Sequence, residues 1–232
     1  MKTPFGIAAA LLSLVAADVG AQTSRDAVSV DPEHHQVVLE NDYVRVLRGL
    51  AAPGDRSVTH THPALVIVSL GTARSRQNFT GAPGPQIMDF TPGQVIFSPA
   101  VEHSWELLSG QSHVVAVELK RPAPASTSPL PTTDAVTVDP AAHVPVLENE
   151  HVRVFSAYAR GGARSPMHTH SRGFVLISAG RARVRLTGQD GTTAILDFHP
   201  GQVVWLDPTA HSWEILSGAL EVTAVEVKAA QP

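Results

Sequence analysis

Shifted by 108 positions, the chain overlays itself. Asp26-Ala27-Val28-Ser29-Val30-Asp31-Pro32 meets Asp134-Ala135-Val136-Thr137-Val138-Asp139-Pro140. Val38-Leu39-Glu40-Asn41 meets Val146-Leu147-Glu148-Asn149, and Val44-Arg45-Val46 meets Val152-Arg153-Val154. A small length difference follows, after which Pro92-Gly93-Gln94 meets Pro200-Gly201-Gln202 and His103-Ser104-Trp105-Glu106 meets His211-Ser212-Trp213-Glu214. Each copy ends on Ala-Val-Glu, at Glu118 and Glu226. Whatever fold the chain adopts must be built twice, so the expected domains are 26–120 and 134–228. Between them, 121–133 carries four prolines among small residues and reads as a semi-extended linker.

Within each copy the apolar segments are short, rich in Val, Ile and Leu, and separated by turn residues. Val66-Ile67-Val68 and Val114-Val115-Ala116-Val117 read as strands, as do Phe174-Val175-Leu176-Ile177 and Val222-Thr223-Ala224-Val225. Pro92-Gly93 and Pro200-Gly201 are turn signals, proline fixing φ and glycine accepting φ > 0. No long 3.6-residue periodicity occurs beyond the first residues. The fold class is therefore all-β, an antiparallel sandwich or barrel in each copy.

Each copy also carries His-Thr-His, at His60-Thr61-His62 and His168-Thr169-His170. On a strand, alternate side chains share a face, so such a pair sets two imidazoles about 6.6 Å apart on one side. A further histidine follows 41 residues later in each copy, at His103 and His211. An imidazole from a neighbouring strand completes a three-nitrogen metal site with positions left for substrate or oxygen. The in-register duplication of all three histidines argues against chance.

Composition removes competing chemistries. The absence of cysteine excludes disulfides, thiolate metal sites, iron–sulfur clusters and a cysteine nucleophile. A net charge of -4 argues against nucleic acid as partner, since phosphate binding needs a clustered positive excess. Residues 1–21 read as a signal peptide: Lys2, an apolar run from Phe5 to Ala17, then Val19-Gly20-Ala21 before Gln22. The run is too short to span a bilayer comfortably. The expected location is periplasmic or secreted, with no membrane attachment after cleavage.

Gly54 and Gly162 each precede their His-x-His by five intervening residues. With the later glycine and third histidine, this pattern resembles the two motifs of the cupin superfamily, over about the whole mature chain. The resemblance implies a bicupin of two tandem double-stranded β-helix (jelly-roll) barrels, each holding one divalent metal. The implied ligands are His60, His62 and His103 in one lobe, and His168, His170 and His211 in the other. Cupins usually add a glutamate three or four residues after His-x-His, where this chain has Val66 or Ile67 and Phe174 or Val175. The expectation is a three-histidine site without carboxylate, similar to the quercetinase-like subgroup. Neutral imidazoles leave the ion at full charge, which favours anionic ligands. Imidazole suits iron(II) and copper(II) foremost, with zinc, manganese and nickel also admitted.

Trp105 and Trp213 share a face with the third histidine and either wall a substrate pocket or pack in the core. Glu106 and Glu214, on the opposite face, either steady a ligand or form surface pairs. Arg74 and Arg76, like Arg183 and Arg185, form a solvated face. Their strands turn Ser75 and Gln77 the other way in the first copy, and Val184 and Leu186 in the second. Gln77 thus makes the first cavity the more polar and joins the candidate pocket residues. His34, His35, His113, His143, His151 and His199 lack partner spacing and read as surface residues. Three functions fit. One is a mononuclear oxidoreductase of dioxygenase type acting on a small organic molecule. The others are a copper-dependent oxidase of carbohydrate and a non-catalytic periplasmic metal or ligand binder. A two-lobed monomer and a homodimer are both compatible with the sequence.

Overall fold

A computed structural model describes residues 25–120 and 130–228. The expected signal segment and most of the linker lie outside the described residues. The first lobe opens with a single helical turn, α1 (Ala27–Val30), started by Asp26, whose carboxylate accepts from the Val28 N–H. Nine strands follow: β1 (Gln36–Glu40), β2 (Val44–Ala51), β3 (His60–His62), β4 (Leu65–Ser69), β5 (Ala73–Phe79), β6 (Gln86–Phe90), β7 (Val95–Ser98), β8 (Val101–Gly110) and β9 (Ser112–Leu119). They form two antiparallel sheets, β1-β2-β9-β4-β7 and β3-β8-β5-β6.

The second lobe repeats this with α2 (Ala135–Val138), β10 (Val144–Glu148), β11 (Val152–Arg160), β12 (Arg164–His170), β13 (Phe174–Ser178), β14 (Arg181–Gly188), β15 (Thr193–Phe198), β16 (Val203–Leu206) and β17 (Thr209–Val227). β17 is continuous where the first lobe has β8 and β9, so it pairs with both layers at once. Both lobes bend sharply at a glycine here, Gly110 with φ 82° and Gly218 with φ 79°. A Cβ at either would lie 2.2 Å from a carbonyl oxygen, of Thr72 or Arg181. Only glycine fits there, and the bend lets one chain segment serve two sheets. Gly93 and Gly201, in the expected turns, also have positive φ, 83° and 79°.

Alternation decides which side chains reach each interior. Along β5, Ala73, Ser75 and Gln77 are buried while Arg74 and Arg76 are exposed, and β14 repeats this with Ala182, Val184 and Leu186 inward. The arginines pair across the outer face, Arg76 with Glu106 at 2.7 Å and Arg185 with Glu214 at 2.6 Å. Glu106 and Glu214 are thus surface ion-pair partners.

All strand ladders stay within one lobe or the other, yet the lobes share a core. Val44, Val46, Val66, Val115 and Val117 form one buried cluster with Val152, Val154, Val175 and Val225. Tyr43 stacks on Trp205 (ring centroids 5.5 Å apart), and the equivalent positions reversed, His151 on Phe97, stack at 5.7 Å. Arg48 donates to the Gly201 carbonyl across the same boundary, at 3.0 Å. The repeat thus packs face to face with itself, each copy using the same strands. His113 and His151 take part in this boundary, which corrects their reading as surface residues; His199 alone of the six is exposed, against Arg181 at 2.7 Å.

Candidate metal centre

β3 and β8 lie side by side with His60 directly opposite His103, and β12 and β17 place His168 opposite His211. The period-two rule puts His62 and His170 on the same inward faces. Ring centroids of His60 and His103 are 4.5 Å apart and those of His168 and His211 4.7 Å. His60 and His168 have no exposed surface.

The structure adds a member that the spacing argument missed. His35 is buried and its ring lies 4.5 Å from that of His60; His143 is buried and lies 4.6 Å from His168. Donor atoms of His35, His60 and His62, and of His143, His168 and His170, lie within 4.8 Å of one another. With His103 and His211 beside them, each lobe therefore gathers four imidazoles, where three were expected. The overlooked signal was in the sequence: 35 plus 108 is 143, the repeat offset itself. His35 and His143 arrive on the strap after α1 and α2, far in sequence from the barrel motifs. That strap is fastened by the Thr61 N–H donating to the Arg25 carbonyl at 2.8 Å, and by the Thr169 N–H to Thr133 at 2.7 Å.

Hydrogen bonds orient nearly all eight rings the same way. His35 Nδ1 faces the Asp31 carbonyl at 2.9 Å, and His60 Nδ1 the Val58 carbonyl at 2.8 Å. His62 Nδ1 faces Glu118 Oε1 at 2.7 Å, and His103 Nδ1 faces Gln77 Oε1 at 3.0 Å. In the second lobe His143 faces the Asp139 carbonyl, His168 the Pro166 carbonyl, and His170 Glu226. An acceptor at Nδ1 fixes the N–H there and leaves the Nε2 lone pair aimed at the cluster. Nε2 of His60, His103 and His168 is buried without a hydrogen-bond partner. Orphaned buried acceptors are costly and rare. Set among donor atoms that lie within 4.8 Å of one another, they fit a divalent transition metal in each lobe.

Burial favours the neutral form of six of the rings, as ligands require. It is the chief cause in every case, helped by neighbouring imidazoles, and pushes His60 and His168 down to about 4, His103 to about 3 and His211 to about 2. His35 and His143 are lowered for the same reason, against the backbone hydrogen bond each makes.

No carboxylate joins the donor groups, but Glu118 and Glu226, fully buried, stand behind His62 and His170. Arg45 Nε donates to Glu118 at 2.5 Å and its other nitrogens grip Asp26; Arg153 holds Glu226 and Asp134 in the same way, at 2.7 Å each. Burial favours the neutral acid at Glu226, yet hydrogen bonds from His170 and Arg153 outweigh it and hold this carboxyl below its ordinary range. Negative charge is thus placed one residue away from each cluster. The chain Asp–Arg–Glu–His also ties the strap's first residue to a ring of the cluster.

The cavities beside the two clusters differ. The first, about 130 Å³, is lined by His62 and His103 with Gln77, Ser75, Trp105 and His34 among others. The second, about 60 Å³, is lined by His170 and His211 with Leu186, Val184, Trp213 and Phe174 among others. Both tryptophans therefore face a cavity, and Gln77 touches a ring of the cluster. His34, against the surface reading, lines the first cavity edge-on to Trp105 and faces Asp31 Oδ1 at 2.8 Å.

Solved structures share this architecture. AerE from Microcystis aeruginosa aligns with a TM-score of 0.57 at 14% identity, over 82% of this chain and 90% of that one. A cupin 2 conserved barrel domain protein from Leptotrichia buccalis aligns at 0.50 and 9% identity, over 83% and 88%. The fold is a cupin fold. Bacillus subtilis oxalate decarboxylase, described with Mn(II) centres, aligns at 0.55 and 13% identity, over 83% of this chain and 71% of that one. No family model and no curated protein matches the sequence. The resemblance read from the His-x-His and glycine motifs is therefore matched by the cupin barrels themselves.

Proposed function

We propose that the chain is an exported metal-dependent cupin, a mononuclear oxidoreductase of dioxygenase type acting on a small organic molecule. The observation that carries the reading is the convergence of orphaned, neutral Nε2 atoms beside a cavity of about 130 Å³. A bound iron(II) or copper(II) ion would supply Lewis acidity and a one-electron couple at that point. His35, His60, His62 and His103 would hold it in the first lobe, and His143, His168, His170 and His211 in the second. Glu118 and Glu226 keep their histidines in the metal-binding tautomer. Leu47, Leu65 and Phe90 wall the first cavity and give it an apolar side. Neither Lys, Arg, Asp nor Glu lines that cavity among the described residues. Oxalate, the substrate that the decarboxylases are named for, has a second carboxylate for which this cavity has no counter-charge. That difference supports another substrate.

Metal analysis of the purified mature protein is the first test, with two equivalents per chain expected. Oxygen uptake is then measured after reconstitution with iron(II) or copper(II), using diketones, phenols, thiols and sugars. Turnover of one class with one metal is the expected result. Full metal occupancy without oxygen uptake on any of them would instead support a periplasmic binder.

A further inference from the structure

The two lobes share ligands and second-layer carboxylates but diverge at every polar position of the cavity. The strand registers define the equivalences: Gln77 lies opposite Trp105 as Leu186 lies opposite Trp213, and Leu65 opposite Ser98 as Phe174 opposite Leu206. Ser75 and Gln77 become Val184 and Leu186; Ser98 becomes Leu206; Ser112, opposite Ala51, becomes Leu220. His34 becomes Ala142 by the repeat offset. Leu47 and Leu65 become Phe155 and Phe174, whose rings pack on His170 at 5.7 and 4.5 Å. The second cavity is thereby narrowed to about 60 Å³, with no polar side chain in its lining besides its histidines and Trp213.

In the first lobe those groups are arranged rather than scattered. Gln77 is buried; its carbonyl faces His103 and its amide donates to Ser75 Oγ at 2.8 Å. An amide carries two N–H groups, so one is left for a guest. Asp31 holds His34 by Nδ1, which leaves His34 Nε2 as an acceptor; its nearest carboxylate, Asp55, is 3.9 Å away, beyond hydrogen-bond range. Around this pair the wall is Leu47, Leu65, Ile67, Phe79, Phe90 and Trp105.

We infer that substrate binds in the N-terminal lobe alone, as an uncharged, mostly apolar molecule whose hydroxyl or carbonyl head is read by Gln77 and His34. The C-terminal cluster holds its metal without taking substrate. The inference rests on the metal-cupin reading above and assigns its substrate class and lobe.

The test is calorimetric titration of the metal-loaded full chain with 4-nitrophenol, held at a pH where it is uncharged, and with malonate. Metal content is measured on the same samples. One nitrophenol site per chain is expected, with malonate binding more weakly. Gln77→Leu and His34→Ala install the residues that the second lobe already carries. Each should weaken nitrophenol about tenfold, the size of one lost hydrogen bond, while two metals are retained. Leu186→Ala and Leu220→Ala, in the second cavity, should leave nitrophenol binding unchanged. Two equal sites, tighter binding of malonate, or wild-type affinity in both Gln77→Leu and His34→Ala would overturn the inference. A chain that takes up no metal overturns the metal-cupin reading instead; full metal content with no nitrophenol site overturns this one.

Discussion

At the scale of single residues, tautomer control is the organising chemistry. Glu118→Gln keeps an acceptor for His62 but replaces the carboxylate that orients its ring by a neutral amide. We expect metal affinity of the first lobe to fall about 10–100-fold, measured by competition with a chromogenic chelator. Glu118→Ala goes further, because it leaves Arg45 buried with one partner, and should cost about 3–5 kcal/mol in denaturant unfolding. Protonation supplies a second prediction, for the metal-free protein. The folded-state values of His60 and His168, about 4, lie below the ordinary 6.5, so between these limits the unfolded chain binds more protons than the folded one. Their contribution is complete above about pH 6.5 and is lost as pH falls toward 4. The metal-free protein's denaturation midpoint should be flat near neutral pH and drop steadily through that window. A midpoint independent of pH between 7 and 4 would contradict buried neutral histidines.

At the scale of elements, the straps that follow α1 and α2 bring the fourth imidazole, and their attachment is polar. Asp134 caps α2 through the Val136 N–H and receives two hydrogen bonds from Arg153. Asp134→Asn retains the cap, whereas Asp134→Ala loses both roles, including a cap worth about 1 kcal/mol. Metal affinity of the second lobe should therefore fall more for Ala than for Asn, with the first lobe unaffected. A chelator titration that resolves two sites reads this directly; equal effects in both lobes would refute the strap's local role. The strands themselves follow the alternation in β5 and β14, where each arginine is out and each intervening residue in.

At the scale of the whole molecule, the shared valine core makes the lobes a single packed body. Burying each valine contributes about 1.5–3 kcal/mol, and the cluster draws seven of its thirteen buried members from the N-terminal lobe and six from the C-terminal one. Val154→Asp places a charge in that core and should lower the melting temperature of the entire chain, not of the C-terminal lobe alone. Calorimetry of the wild type should show a single transition. Two well-separated transitions, with only one moved by Val154→Asp, would show the lobes to be energetically independent.

Much of this was legible in the residues. Duplication, the His-x-His pairs and short β-branched runs specify all-β lobes and six of the eight clustered imidazoles, because strand alternation is a local property with a fixed period. The repeat offset also held His35 and His143, Asp26 and Asp134, and Arg45 and Arg153. Their meaning was hidden, because a strap crossing the barrel obeys no local period. Only the tertiary structure decided that buried glutamates 56 residues away in sequence would orient His62 and His170. It alone decided that the two copies would pack their valine faces together, and that leucine-to-phenylalanine exchanges would narrow one cavity while the other stayed wider. Local pattern fixes which face a side chain takes; which distant groups meet it there is settled by packing.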